Sequence, residues 1–131
     1  MTGLDTNVLV RYIMQDDARQ SPKATRLIES LDADHPGFIS LVSIIELYWV
    51  LTTCYELSRE QVAQAIDLLL RSRQIVVDRS DQVLRALRVF DDGRADFADC
   101  LIERTCASVG CVKTVTFDAK ASKHSGMVLL A

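Results

Sequence analysis

Residues 3–10 read Gly3-Leu4-Asp5-Thr6-Asn7-Val8-Leu9-Val10, an apolar opening interrupted by one carboxylate that is followed at once by two polar residues. An ionised carboxylate taken out of water costs several kcal/mol or more unless something pairs with it. Asp5 therefore either stands at an element boundary and caps a helix, or it belongs to a site. The choice turns on where the strands of the chain end and what other acids gather there.

Short β-like runs occur at Thr2–Leu4, Gly37–Ser40, Gln74–Val77, Val112–Thr116 and Met127–Leu130, with helical patterns between them. In Ser21–Leu31 the order Ser21-Pro22 predicts a cap and first helical position, and Ala24, Leu27, Ile28 and Leu31 recur at helical spacing. Leu41–Cys54 is almost wholly apolar and predicts a buried helix, with Tyr48 and Trp49 in the core. Ser58 and Gln61 form a capping-box pattern ahead of an amphipathic face of Val62, Ala65, Ile66 and Leu69. Two further helices are predicted, at about Asp81–Phe90 behind Ser80 and at about Asp96–Ser108, which ends before Gly110. Strands alternating with helices predict an α/β fold: a mainly parallel central sheet of about four to five strands, covered by helices on both faces. Ligands bind such sheets beyond the carboxyl ends of their strands, and Asp5 follows the first.

At 131 residues the chain is expected to be one domain spanning 1–131. Nothing in the first twenty residues resembles a secretion signal, and no apolar run approaches the ~18 residues of a membrane span, so a cytoplasmic protein is expected. The four cysteines, Cys54, Cys100, Cys106 and Cys111, form no C-x-x-C pair and come with only two histidines, which argues against zinc and for reduced, buried thiols.

Four acids interrupt apolar sequence singly: Asp5, Glu46, Asp99 and Asp118. Each has a plain structural reading. Asp5 and Asp118 can cap helices after strands, Asp99 suits a first helical turn, and Glu46 can pair with a buried arginine. Taken together, acids converging on one sheet edge would repel one another unless a cation bound there. Oxygen-only donors favour Mg²⁺, with Mn²⁺ as a substitute, over zinc. The net charge of −3 first argues against a nucleic-acid partner, but these four acids hold −4 of it and leave +1 on the rest of the chain.

The ordered set Gly3–Tyr12, the isolated Glu46 after Ile39–Ile45, the segment Ala95–Ile102 and Thr114–Lys120 resembles a PIN domain, more narrowly a VapC-type toxin of a VapBC toxin–antitoxin module. The resemblance covers essentially the whole chain. It implies a PIN-like three-layer α/β/α sandwich and a Mg²⁺-dependent endoribonuclease that cleaves cellular RNA, such as tRNA or rRNA, and inhibits translation. It also implies a homodimer neutralised by a cognate VapB-type antitoxin. Asp5, Glu46, Asp99 and Asp118 match the family's catalytic, metal-binding acids, and Asn7 and Thr116 match polar positions that orient them. Asp96 is either a further ligand or the cap of its helix. Glu46, in apolar surroundings, is a candidate to relay a proton. Arg11, Arg94 and Lys120 lie near the motifs and are candidates to contact RNA phosphate or are solvated surface charges.

Three other functions fit parts of the pattern. A phosphatase forming an aspartyl-phosphate on Asp5 would ordinarily have an aspartate at position 7, where this chain has Asn7. A receiver module would need an acidic pair after the first strand, which is missing. A PIN-like chain that only binds protein keeps the motifs without the chemistry.

Overall fold

The computed structural model describes residues 1–130. They form two compact units, Met1–Asp78 and the chain from Arg79 onward.

The first unit is built on three parallel strands, β1 (Thr2–Gly3), β2 (Gly37–Ile39) and β3 (Ile75–Val77), hydrogen-bonded in that order with Thr2 opposite Gly37 and Gly37 opposite Ile75. Parallel neighbours need crossovers, and helix pairs supply them. α1 (Thr6–Met14) and α2 (Gln20–Ser30) join β1 to β2, and α3 (Leu41–Thr53) and α4 (Arg59–Arg71) join β2 to β3. Leu9, Ile28, Ile39, Ile44, Leu47, Leu51 and Ile66 are fully buried. A Cβ at Gly37 would stand 2.8 Å from Leu4 Cδ1 and 2.9 Å from Leu31 Cδ1, so glycine lets those leucines close over β2.

Because the strands are parallel, their carboxyl ends share one edge, and both α1 and α3 start there. Asp5 Oδ1 accepts from the Thr6 N–H at 2.8 Å. Ser40 Oγ accepts from the Ser43 N–H at 3.2 Å, and Asp78, just past β3, accepts from the Leu41 N–H at 3.2 Å. Each satisfies a backbone donor that has no partner within its helix. The predicted capping box of α4 forms in full, with Ser58 and Gln61 each accepting from the other's backbone.

The second unit holds α5 (Ser80–Asp92), α6 (Phe97–Ser108), β4 (Val115–Thr116), α7 (Ala119–His124) and β5 (Val128–Leu129), with β4 and β5 a parallel pair. Phe90 and Phe97 meet edge to face at 5.9 Å, a favoured aromatic geometry. All five predicted strands exist and every pairing is parallel, divided into sheets of three and two.

Several local expectations are corrected. Ser21 does not cap α2 but is buried inside it, and Asp17 instead accepts from the Arg19 and Gln20 N–H groups. Ser80 lies within α5, which begins from Arg79 at φ 50° with no side-chain cap. The Val112–Thr116 run pairs only at its last two residues, and Val112 is fully exposed. Nor is α3 buried all round. Trp49 is 57% exposed, Val42 is exposed and Tyr48 is half-buried. Of the cysteines only Cys100 is buried, and Cys54 and Cys111 are exposed. Among the described residues, no helix is long and apolar enough to cross a membrane.

Candidate metal centre

In the first unit Asp5 and Glu46 line one cleft of about 550 Å³, together with Thr6, Asn7, Val10, Arg11, Val50, Cys54 and Tyr55. The residue that ties the two acids together is Thr6. Its hydroxyl donates to Glu46 Oε1 at 2.9 Å, while its backbone N–H donates to Asp5 Oδ1. Thr6 is buried and fixed at the first position of α1, so it holds Glu46 of α3 beside the start of α1. Sequence reading assigns no role to Thr6, because its partner lies forty residues away. The only local signal is its place between Asp5 and Asn7. Glu46 is exposed, not enclosed by the apolar surroundings on which its proton-relay candidacy rested. Asn7 is exposed on the cleft wall.

In the second unit Asp96 is the N-cap of α6, its Oδ1 accepting from the Asp99 N–H at 3.0 Å, which supports the cap reading of this residue. Asp118 caps α7. Its Oδ1 accepts from Lys120 N at 2.8 Å and Ala121 N at 3.3 Å. Thr116 Oγ1 accepts from the Asp118 N–H at 3.0 Å, a bond to the backbone of this acid and not to its carboxylate. Desolvation raises the Asp99 pKa above its ordinary value of 3.8, and the charges of Asp96 and Asp118 push it the same way. Glu103, one turn along α6 from Asp99, is a different case, because Arg104 pairs with it.

Asp5, Glu46 and Asp118 share a pattern. Each uses one carboxylate oxygen to bind the protein and leaves the second without a protein partner among the described residues. Among those residues Asp99 accepts no hydrogen bond, and none of the four acids joins an ion pair. Capping and metal ligation are thus compatible in one side chain. Open carboxylate oxygens suit a hard divalent cation such as Mg²⁺ or Mn²⁺. Among the described residues, no three or more His, Cys, Asp or Glu side chains stand close enough together to hold a metal ion as a group.

The three basic residues expected to contact phosphate differ from one another. Arg11 is tied by Nε to Gln20 Oε1 at 2.8 Å and by Nη1 to Asp16 Oδ1 at 3.3 Å and to the Tyr55 hydroxyl at 3.4 Å. Its Nη2 donors make no hydrogen bond to a described residue. Arg94 and Lys120 are exposed. Lys23, which sequence reading does not single out, lines a second depression of about 350 Å³ that also includes Asp5, Asn7 and Arg11.

The chain is 22% identical over 123 residues to a VapC ribonuclease of Aquifex aeolicus (strain VF5), covering 94% of this chain and 91% of the relative. It also matches the crystal structure of VapC20 from Mycobacterium tuberculosis, a sarcin–ricin loop cleaving toxin. That match has a TM-score of 0.47 and 19% identity, and covers 98% of this chain and 97% of the other. The family model of the PIN domain matches residues 4–126, a span that holds every acid described above, and the chain belongs to the PIN domain family.

Proposed function

We propose that this chain is a divalent-metal-dependent endoribonuclease of the VapC toxin type, with Asp5, Glu46, Asp99 and Asp118 as its metal-binding acids. The observation that carries the reading is the open oxygen left on each anchored acid, with Asp99 unneutralised by any cation among the described residues. Family membership and the VapC relative support the same activity.

Bound Mg²⁺, or Mn²⁺ in its place, would supply a water of lowered pKa and neutralise charge on the scissile phosphate. The chain's own contribution is positioning. Thr6 fixes one Glu46 oxygen, and the Lys120 and Ala121 N–H groups fix one Asp118 oxygen, so both carboxylates are held before any ligand arrives. Arg11 presents its Nη2 N–H groups to a substrate phosphate oxygen, and Arg94 and Lys120 supply further exposed positive charge. No covalent protein intermediate is required. The substrate is cellular RNA, tRNA or rRNA, and the toxin acts in the cytoplasm as a homodimer until a VapB-type antitoxin neutralises it.

The test is expression without the antitoxin, combined with cleavage by the purified chain. Wild type is expected to arrest growth and cleave RNA in Mg²⁺, whereas Asp5→Asn, Glu46→Gln and Asp99→Asn do neither. A chain that binds its antitoxin but cleaves no RNA would be a PIN module retained only for binding.

A further inference from the structure

We propose that Asp16, Gln20 and Tyr55 form a latch that holds Arg11 away from the carboxylates of Asp5 and Glu46, so that one cleft carries a guanidinium and open acids together. The inference rests on the reading of those acids as cation ligands. Asp5, Glu46, Arg11 and Tyr55 all line the same cleft. On a helix, Cα–Cβ bonds tilt toward the amino terminus, so an arginine at position 11 leans toward Asn7 and the Asp5 end of α1. Arg11 lies six positions after Asp5, about 9 Å along the axis before the side chain's own length is counted. A guanidinium near carboxylates that lack a cation ordinarily forms a forked ion pair with them. In this cleft that pair would fill the oxygens a metal needs.

The structure sends Arg11 the other way. Gln15 ends α1 at φ 51°, a left-handed turn, and its side chain ties Tyr12 O at 2.8 Å to Thr25 Oγ1 at 2.9 Å. The chain reverses there, and Asp16 comes back against Arg11. Tyr55, just past α3, donates to Asp16 Oδ2 at 2.7 Å, and Arg11 reaches the other oxygen, Oδ1. The Tyr55 hydroxyl, more than any other group, holds the Asp16 carboxyl below its ordinary range. Gln20 holds Nε from α2. Asp16, Gln20 and Tyr55 are thus positioning residues that act on the acids through Arg11.

The experiment is Mn²⁺ titration of the full chain, followed by the electron-paramagnetic-resonance signal of free Mn²⁺. The double variant Asp16→Asn/Tyr55→Phe is expected to bind Mn²⁺ about tenfold more weakly, as a unit charge moves beside the acids. Adding Arg11→Gln is expected to restore affinity to within about twofold of Arg11→Gln alone, a rescue that loss of packing would not produce. Should the double variant fail to fold, Tyr55→Phe alone removes one hydroxyl and is expected to weaken binding about threefold. Wild type that binds no Mn²⁺ overturns the functional reading and this inference with it. Wild-type binding that is unchanged by the latch variants, or weakened without rescue, overturns this inference alone.

Discussion

Asparagine and alanine at position 118 separate the capping that the structure gives Asp118 from the metal ligation proposed for it. The carboxylate caps α7 through Lys120 N and Ala121 N and leaves its other oxygen open. A six-residue helix has almost no stability of its own, so its cap matters. Asparagine caps as well as aspartate, and alanine does not, at a cost of about 1 kcal/mol. A chain of this length unfolds with an entropy of roughly 0.28 kcal/mol/K, so that loss lowers Tm by about 4 °C. Asp118→Ala is expected to melt about 4 °C lower in chelator. Asp118→Asn, which loses only the charge facing the helix dipole, is expected to stay within about 2 °C of wild type. Cleavage should instead fall roughly 100-fold or more in both, since each removes the charge proposed to hold the metal. Calorimetry and a fluorogenic RNA assay on the same preparations give both readings. The reasoning is refuted if Asp118→Asn cleaves normally while Asp118→Ala loses activity only in step with its stability, for then the residue is a cap and nothing more.

Three further outcomes are expected. Because the folded-state pKa of Asp99 is raised, its ionisation disfavours folding, a penalty that is absent well below pH 3.8 and grows as pH rises through that value to the raised one. In chelator, Asp99→Asn should therefore gain stability over wild type as pH rises from about 3.5 and hold that gain at neutrality, as read by urea denaturation. Thr6→Val, nearly isosteric, removes the hydroxyl that holds Glu46 and should cost about 1 kcal/mol in the same assay, with cleavage reduced roughly tenfold. Gly37→Ala forces Leu4 and Leu31 apart and should cost about 1–3 kcal/mol, seen as a lower denaturation midpoint at unchanged slope.

What was legible in the sequence was local. The five strands, the Ser58–Gln61 capping box and the cap position of Asp96 all depend on residues within a turn of one another. The four acids stood out because apolar neighbours isolate them. What escaped depends on distant partners. Thr6 meets Glu46 across forty residues, and Tyr55 meets Asp16 across thirty-nine. Asp17, and not Ser21, accepts at the start of α2 because its carboxylate reaches two N–H groups from the preceding loop. α7 is too short to leave a periodic signal. The exposure of Trp49 could not be read from α3 at all, since a helix apolar on every side does not announce which face its neighbours leave open.

The most direct test of the account is the rate of RNA cleavage by the purified chain, titrated from excess chelator to millimolar Mg²⁺, for wild type and Asp99→Asn. The account predicts no cleavage in chelator, a saturable rise with Mg²⁺ for wild type, and at most about one-hundredth of that rate for Asp99→Asn at any concentration. Wild-type cleavage that persists undiminished in chelator, or Asp99→Asn cleaving as fast as wild type, would contradict it.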